Sequence, residues 1–440
     1  MQRLGELQMK RLLIAAATAS LVLTGSALAD EKPDILKVGI TTFLSGPASV
    51  FGEPAKAGAE MMIADINADG GIGGVPVEVY FVDEGAGGEA LLAEYRRLVE
   101  DVGVDAMFAS ISSGNCTKIG PLAEDLKVLN IMWDCGTQRI FEENDFRYSF
   151  RTQANATPEM LSTVLYLLKT KPDLKTIAVV NQDYAWGRDS WAIFSTALKQ
   201  LKPDVEVVAE FFPKFGAPDF STEISRLQAL RPDAILSTSW GGDLDTFVRQ
   251  ATQRGLTNTS TLVLPLAESS LERLGGALPA GHIVGARGDH YFLHPEKAGD
   301  AAFTSFVDDF KERTGAYPIY PVFHMAQALS ALEGAYKKAI SANGGAWPGD
   351  EAVIDAMSGL TFAGLGREVT IRDDNQGVED QLLGTTVRVD GYDFALLDNM
   401  MMFDGDAITT PVGMISAEWL ETLTPEFVDS VAFESFSHGS

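Results

Sequence analysis

The sequence has few cysteines, few histidines and few basic residues for its length. Its 440 residues include 2 cysteines and 5 histidines, and 34 Lys and Arg residues stand against 61 Asp and Glu residues. The net charge of −27 would repel the phosphates of nucleic acids and an anionic lipid surface, so we expect neither as a partner. Beyond the N-terminal region no apolar run approaches about 18 residues, so we expect no membrane insertion.

Motifs of catalysis and cofactor binding are also missing. The histidines lack the spacing of metal ligands, and the sequence has no Walker loop, no G-x-S-x-G elbow and no H-E-x-x-H motif. Residues 85–90 match the dinucleotide fingerprint G-x-G-x-x-A, but the acidic residue about 20 positions further on, Asp105, opens a strand where a ribose partner would end one. We therefore interpret this segment as a glycine-rich turn, and we expect no enzyme activity, no metal and no cofactor.

The N-terminus has the features of a secretion signal. Residues 9–11 are Met-Lys-Arg, an apolar run of about a dozen residues follows, and small residues precede Asp30. The run is too short for a membrane span, and a buried N-terminal helix is the alternative. We predict that residues 1–29 are a signal peptide cleaved after Ala29, which places the mature protein in an extracytoplasmic space, most simply a bacterial periplasm.

From residue 35 onward, strand-like and helix-like segments alternate. An apolar, β-branched segment at 35–43, for example, is followed by an amphipathic segment at 54–67. This alternation is typical of parallel sheets covered by helices on both faces. Two such blocks of roughly 120 residues predict an α/β protein with two doubly wound, Rossmann-like lobes. Residues 404–440 have a weaker pattern, and we treat them as a C-terminal extension.

Small polar residues follow two successive strands of the first block. Ser112 and Ser113 lie between a strand and a helix, and residues 135–137 (Cys-Gly-Thr) follow the next strand. Hydroxyls and free N–H groups at a helix N-terminus bind anions, although ordinary N-capping would use the same serines. Two adjacent strands that end in this way predict a ligand crevice at the switch point of the sheet.

The two cysteines would lie on these neighbouring loops. Cys116 follows the serines, and Cys135 opens the second polar segment. In an oxidising compartment an even cysteine count favours a disulfide, provided that the Cα atoms approach within about 7 Å. We predict a Cys116–Cys135 bond beside the crevice.

Large aromatic residues stand at strand ends of the second block. Tyr184 and Trp186 precede Gly187, and Trp240 precedes Gly241. Such side chains can cover the apolar part of a ligand, or they can pack on the protein's own loops.

Short segments spread along the chain carry a family resemblance. The first block contains Val-Gly-Ile at 38–40, Leu-Ser-Gly-Pro at 44–47, Phe-Gly at 51–52 and Ile-Asn-Ala-Asp-Gly-Gly-Ile at 66–72. Further matches follow in order at 184–187, 220–227, 233–235, 249–256, 362–366 and 373–377. Across roughly residues 35–400 the chain resembles the branched-chain amino-acid-type (leucine/isoleucine/valine-binding-like) substrate-binding proteins, which are periplasmic receptors of ABC importers.

The resemblance implies the type I periplasmic binding protein fold, in which three crossovers join two lobes and the ligand lies between them. The crossovers would fall near residues 151–156, 285–291 and 362–368. The first lobe would comprise 35–151 plus 289–363, and the second 154–286 plus 366–403.

The resemblance also implies a set of ligand contacts. A ligand carboxylate would be held by Ser112 or Ser113 and by the segment Cys135, Gly136 and Thr137. Aromatic contacts would come from Phe51, Trp186 and Trp240, with Tyr184 nearby. Where amino-acid binders of the family carry an acidic partner for the ammonium group, this chain reads Leu-Pro-Leu-Ala at 264–267, and Glu268 is the nearest candidate. This departure and the tryptophans favour an apolar or aromatic acid over an α-amino acid.

The implied function is capture of a small carboxylate-bearing solute, an amino acid or an aromatic or apolar acid, by hinge closure. The receptor would then deliver the solute to the permease subunits of an ABC importer without chemical change. Two alternatives stay open: a secreted α/β enzyme whose site the sequence hides, and a ligand-sensing module that serves a separate receptor.

Overall fold

A computed structural model describes residues 31–438, so the predicted signal peptide lies outside the described residues. Residues 36–151 form a five-stranded parallel sheet in the order β2-β1-β3-β4-β5. Leu36, Val38 and Ile40 of the first strand are fully buried, as expected for a strand covered by other layers. The elements are β1 (Leu36–Thr42), α1 (Ser49–Ala68), β2 (Val77–Asp83), α2 (Gly88–Arg97), β3 (Ala106–Phe108), α3 (Ser113–Leu126), β4 (Leu129–Met132), α4 (Arg139–Glu142) and β5 (Ser149–Arg151).

Residues 156–285 repeat the same construction. Five parallel strands pair in the order β10-β9-β8-β6-β7. The elements are α5 (Ala156–Thr170), β6 (Thr176–Val180), α6 (Ala185–Leu201), β7 (Glu206–Phe211), α7 (Ser221–Leu230), β8 (Ala234–Leu236), α8 (Gly241–Gln253), β9 (Thr261–Leu264), α9 (Leu271–Leu274) and β10 (Ile283–Gly285).

The chain then returns to the first lobe, where α11 packs against α1. A separate sheet of three antiparallel strands follows. The elements are α10 (Ala301–Thr314), α11 (Tyr320–Ala342), α12 (Asp350–Met357), β11 (Thr361–Ala363), β12 (Glu368–Ile371) and β13 (Gly377–Val378).

The remaining strands extend the second sheet. β14 pairs antiparallel with β10, β15 with β14 and β16 with β15, which makes this sheet eight-stranded. The elements are β14 (Gln381–Val387), β15 (Leu396–Phe403), α13 (Gly405–Ile408), α14 (Ser416–Glu421), α15 (Phe427–Ser430) and β16 (Phe433–Phe436). The segment that we set apart as an extension therefore supplies the edge strand of the larger sheet.

Single helical turns complete the described part of the chain. There are 3₁₀ turns at Glu84–Ala86, Leu256–Asn258, Ala267–Ser270, Gly275–Ala277 and Pro295–Lys297, and a π turn at Leu98–Val102. Within residues 31–438 no helix combines the length and the apolar composition of a membrane-spanning segment.

The chain passes between the two large sheets three times. It crosses after β5 at 152–155, after β10 from 286 onward, and between β13 and β14 at 379–380. Two α/β lobes, each built on five parallel strands and joined in this way, confirm the predicted fold class. The exact limits of the lobes stay a prediction.

The predicted disulfide is present. Cys116 in α3 and Cys135 in the loop after β4 are bonded, with Cα atoms 6.4 Å apart. Both residues are fully buried, so the bond ties the start of α3 to the loop after the neighbouring strand.

Candidate ligand-binding site between the lobes

A small cavity lies between the lobes, where the carboxyl ends of strands from both sheets meet. Its free volume for a water-sized sphere is about 20 Å³, which is room for about one water molecule. The lining consists of Phe51, Ile111, Ser113, Asp134, Gly136, Tyr184, Trp186, Trp240, Leu266, Arg287 and Tyr320. Most of these residues directly follow a strand, which is where doubly wound sheets bind ligands.

Aromatic rings from both lobes form one wall of this cavity. Trp240 of the second lobe meets Phe51 of the first edge to face, with ring centroids 5.2 Å apart, and Phe51 meets Tyr320 in the same way at 5.2 Å. The indole Nε1 of Trp240 donates a hydrogen bond of 2.6 Å to the Tyr184 hydroxyl. Burial raises the pKa of Tyr184, so the phenol keeps its proton. The wall is neutral, and its rings are held in place by one another.

Trp186 bridges the gap between the lobes. Its Nε1 donates to the carbonyl of Thr238 at 2.9 Å, which fixes the ring on the second lobe. On the other side the ring lies directly on Gly136 of the first lobe, where a Cβ atom would overlap with it. Glycine at 136 therefore allows this contact between the lobes.

Arg287, which the sequence analysis did not single out, is the cation of the site. Its Nε lies 3.0 Å from both carboxylate oxygens of Glu159, and its Nη1 bonds to Oδ1 of Asp134. The guanidinium also lies over the rings of Trp186 and Tyr320, at 5.4 and 5.2 Å from their centroids. Burial alone would lower the pKa of Arg287, but Asp134 and Glu159 raise it above its usual value. Because this arginine lies beyond the recognisable motifs, no sequence signal pointed to it.

Asp134 and Tyr320 present polar atoms that the described residues leave without hydrogen-bond partners. Oδ1 of Asp134 faces Arg287 and Nδ1 of His324, whereas its buried Oδ2 has no such partner within residues 31–438. The same holds for the buried Tyr320 hydroxyl. A buried acceptor without a donor costs about 1–3 kcal/mol. The site is therefore suited to a guest that brings a hydrogen-bond donor to Asp134.

The polar segments predicted after β3 and β4 reach the cavity only in part. Ser113 and Gly136 line it, and the Ser113 Oγ accepts from the Thr137 N–H at 3.2 Å. Thr137 turns its hydroxyl to Oδ2 of Asp189 on the second lobe, at 2.6 Å. Cys135 is held in the disulfide. Among the predicted residues of these two segments, the cavity lining thus contains Ser113 and Gly136.

A buried carboxylate takes the backbone N–H groups at the start of α3. Glu84 accepts from the N–H of Ile111 at 2.9 Å and from that of Ser112 at 2.7 Å, and the Asn115 side chain donates to it as well. Burial raises the pKa of Glu84, while these hydrogen bonds oppose the rise. The N–H of Ser112 donates to Glu84, and Ser112 is not part of the cavity lining. The Glu84 carboxylate therefore occupies a position that the resemblance assigns to the carboxylate of a ligand.

Glu268 lies behind the cavity. It is fully buried and outside the lining, and its Oε2 accepts from the backbone N–H of Tyr320 at 2.8 Å. Burial raises its pKa well above the usual value. Glu268 thus supports the start of α11, and Asp134 is the carboxylate that the cavity presents.

A larger groove lies on the second lobe at the opposite ends of the strands. Its free volume for a water-sized sphere is about 490 Å³, and its lining includes Lys171, Asp233, Thr261 and His282. It is open and has no aromatic wall of Phe, Tyr or Trp. The smaller cavity between the lobes is the stronger candidate, because ligands of doubly wound sheets bind at the carboxyl ends of the strands.

Two α/β lobes that are joined by three crossovers and enclose an aromatic-lined cavity are typical of solute-binding receptors. The model of a periplasmic binding protein family matches residues 35–391, and the chain belongs to this family. Membership places the protein in the periplasm and confirms the predicted class of solute-binding receptor.

Relatives and solved structures agree with this assignment. The Leu/Ile/Val-binding protein homolog 4 of Brucella abortus is 27% identical over 322 residues, covering 69% of this chain and 72% of that protein. The homolog 7 of Brucella suis is 28% identical over 325 residues, covering 70% and 77%. A solute-binding protein of an ABC transporter from Rhodopseudomonas palustris, in complex with 3,4-dihydroxybenzoic acid, superposes with a TM-score of 0.73 at 20% identity, covering 87% of this chain and 100% of the other. A closed leucine-, isoleucine-, valine-, threonine- and alanine-binding protein from Brucella ovis gives a TM-score of 0.69 at 22% identity, covering 87% and 98%. These structures confirm the type I periplasmic binding protein fold.

Proposed function

We propose that the protein captures a small aromatic acid that carries a hydroxyl group and delivers it unchanged to an ABC importer. The observation that carries this proposal is the cavity between the lobes, whose lining contains several aromatic residues and Asp134, the buried Oδ2 of which has no hydrogen-bond partner among residues 31–438. A planar ring fits between aromatic walls, and a phenol supplies the donor that Asp134 lacks. A similarly folded protein binds 3,4-dihydroxybenzoic acid, and another binds 4-hydroxybenzoate.

The carboxylate of such a guest would lie toward Ser113 and the guanidinium of Arg287. Both residues line the cavity, and a hydroxyl donor and a cation each stabilise a carboxylate. Glu159 and Asp134 already neutralise Arg287, so the charge attraction is modest and the aromatic walls contribute most of the affinity.

An amino acid with an apolar side chain is the second candidate. Its ammonium group would also satisfy Oδ2 of Asp134. The Brucella relatives carry names of amino-acid-binding proteins. A direct comparison of the two ligand classes separates these candidates.

Closure of the lobes would couple to binding. Trp186 lies on Gly136, Thr137 bonds to Asp189, and the N–H of Gly242 donates to the carbonyl of Pro47 at 3.1 Å, all across the gap. With room for about one water molecule, the cavity admits an aromatic acid only when the lobes separate or the rings move. A guest that contacts both lobes then shifts the population toward the closed form.

The test is calorimetric titration of the mature protein with 4-hydroxybenzoate, 3,4-dihydroxybenzoate, benzoate, leucine and phenylalanine. We expect the hydroxybenzoates to bind most tightly and to raise the melting temperature by mass action. Trp186→Ala should weaken binding by tenfold or more, whereas Trp419→Ala, on α14 and outside the cavity lining, should leave it unchanged. Equal affinity of the Trp186→Ala and unchanged proteins would refute the site, and preference for the amino acids would select the second candidate.

The two alternative functions have their own tests. Chromatography of the ligand after prolonged incubation shows whether it is released unchanged, and a chemically altered product would support a secreted enzyme. Uptake of radiolabelled ligand by vesicles that contain the cognate permease would support transport, whereas binding without uptake would support a sensor.

The intact mass of the exported protein tests cleavage after Ala29.

A further inference from the structure

A single buried carboxylate contacts all three connections between the lobes. Glu379 lies in the third crossover and is 4% exposed. Its Oε2 accepts from the backbone N–H of Ala154 in the first crossover at 3.2 Å, and its Oε1 lies 2.8 Å from Nε2 of His290 in the second. Gln327 of α11 also donates to Oε1, at 2.5 Å. A change in the hinge angle moves the crossovers relative to one another, so this set of contacts can be complete only over a limited range of angles.

His290 stands between two carboxylates. Its Nε2 faces Glu379, and its Nδ1 lies 3.2 Å from Oδ1 of Asp289. The approach of Nδ1 to Asp289 is an ion-pair distance without hydrogen-bond geometry, and Nε2 of Gln327 also lies 2.6 Å from Nε2 of the ring. As an imidazolium, the ring places its positive charge between the two buried carboxylates. The ligand atoms of these three residues lie within 4.8 Å of one another. The two carboxylates face different nitrogens of the ring, Glu379 at Nε2 and Asp289 at Nδ1, and we interpret the ring as the cation that joins them.

Two glycines leave the space for this arrangement. A Cβ atom on Gly288 would lie 2.5 Å from Oε1 of Glu379. A Cβ atom on Gly366 would overlap with Oδ1 of Asp289 and lie 2.5 Å from Nδ1 of His290. The charged side chains therefore pack directly against the backbone of the second crossover and of the loop between β11 and β12.

The surroundings of the ring contain charges of both signs. Arg367 lies 3.6 Å from Oδ2 of Asp289, and the Lys297 ammonium donates to the carbonyl of Gly366 at 2.6 Å. From α11, Phe323 stacks on the His290 ring at 5.3 Å and the His324 ring lies at 6.2 Å. The titratable and charged groups around His290 are Asp289, His294, Glu296, Lys297, His324, Arg367, Glu379 and Asp380. Burial opposes the charge on the ring, but Asp289 and Glu379 outweigh it and raise the pKa of His290.

We propose that the imidazolium of His290, clamped between Glu379 and Asp289, is a proton-operated clasp that holds the three crossovers in the closed arrangement of the lobes. This inference depends on the hinge closure proposed above. When the ring loses its proton, the positive charge between Glu379 and Asp289 is lost, and the two buried carboxylates repel each other without that charge. The clasp is therefore complete at low pH. It is lost as the pH rises through the pKa of His290, which lies above the ordinary value of about 6.5.

The experiment is a pH titration, from 5 to 9, of the mature protein without added ligand. The radius of gyration from small-angle X-ray scattering and the tryptophan fluorescence both report lobe separation, since Trp186 and Trp240 lie between the lobes. We expect the unchanged protein to expand in one transition as the pH rises. His290→Gln should abolish this transition, and Glu379→Gln should give the expanded form across the range. His438→Gln, near the chain end, should keep the transition.

A radius of gyration that does not change with pH, or a His290→Gln protein with the same transition, would overturn the proposal. Circular dichroism at each pH shows that the variants are folded. Gln327→Leu provides a second, uncharged change beside Glu379 that leaves His290 and both carboxylates in place, so this variant should keep the transition. Binding of 4-hydroxybenzoate is measured in parallel. Loss of the transition in a protein that still binds this acid would contradict the clasp alone, whereas absence of binding would contradict the proposed function.

Discussion

Asp134 shows how one buried oxygen can select a ligand. Its Oδ1 bonds to Arg287, and its Oδ2 has no hydrogen-bond partner among residues 31–438, in a residue that lines a cavity with several aromatic side chains. A guest with a donor removes an uncompensated desolvation cost, and a guest without one leaves it in place. The same residue can therefore favour a hydroxylated ring over a plain one.

We predict that Asp134→Asn reduces the preference for 4-hydroxybenzoate over benzoate by about tenfold or more. A hydrogen bond to a charged acceptor contributes about 1.5–3 kcal/mol, and the amide replaces it with a weaker one. Calorimetric titration with both acids measures the ratio of the two dissociation constants. Asp183→Asn, whose exposed carboxylate pairs with Arg188, is the matched control. An unchanged ratio in Asp134→Asn would show that Asp134 does not contact the hydroxyl group.

Gly136 is a second residue at which a single added atom, a Cβ, should affect ligand binding. A Cβ there would overlap with the ring of Trp186, so we predict that Gly136→Ala hinders closure and weakens ligand binding by about tenfold. Gly114→Ala is the matched control, because its Cβ would meet only the Ser112 Oγ, at 3.8 Å. The dissociation constants of the Gly136→Ala and Gly114→Ala proteins are measured by titration with 4-hydroxybenzoate. Equal values would mean that ligand binding does not depend on the contact between Trp186 and Gly136.

At the scale of elements, α3 is held at its start by two separate attachments. The Glu84 carboxylate binds N–H groups of the preceding loop, and the Cys116–Cys135 bond joins the helix to the loop that carries Gly136. Both attachments position the loops after β3 and β4 without occupying the cavity. They account for polar residues that the sequence alone would assign to a ligand.

We predict that replacing both Cys116 and Cys135 by serine lowers the free energy of unfolding by about 2–4 kcal/mol, since the bond closes a short loop of the unfolded chain. Urea denaturation of the variant and of the unchanged protein measures the difference. The unchanged protein under reducing conditions should reproduce the loss. If reduction and substitution both leave the midpoint in place, the bond does not stabilise this lobe.

For the whole molecule, acid stability should depend on buried neutral histidines. His282 accepts from the backbone N–H of Leu262 through Nδ1, and burial lowers its pKa to about 4. Between pH 6.5 and 4 the unfolded chain binds a proton that the folded chain excludes, so folding stability falls as the pH falls through this window.

We predict that His282→Gln has a smaller loss of stability than the unchanged protein between pH 6.5 and pH 4, by up to about 3 kcal/mol. The measurement is urea denaturation at several pH values, and His438→Gln is the control. Carboxylates with raised pKa values, such as Glu268, act with the opposite sign in both proteins, so the difference isolates the histidine. Parallel pH profiles of the two proteins would contradict the prediction.

Local sequence signals located most elements of the two lobes but not their ends. The helix expected at 54–67 runs over Ser49–Ala68, and the strand expected at 35–43 runs over Leu36–Thr42. Strand β16 was missed because the segment Phe433–Phe436 is short and largely exposed, and it is a strand only by pairing with β15.

The sequence by itself determined the alternation of strands and helices and the positions of Ser113, Trp186 and Trp240 after strands, since these features follow from spacing along the chain. The secretion signal is a prediction from the same local pattern. Only the tertiary structure decided that Arg287 and Asp134 meet in the cavity and that Glu379 meets His290. These pairs are separated by 153 and 89 positions, so only the crossing of the chain between the lobes brings them together. No periodicity or motif records a contact of that kind.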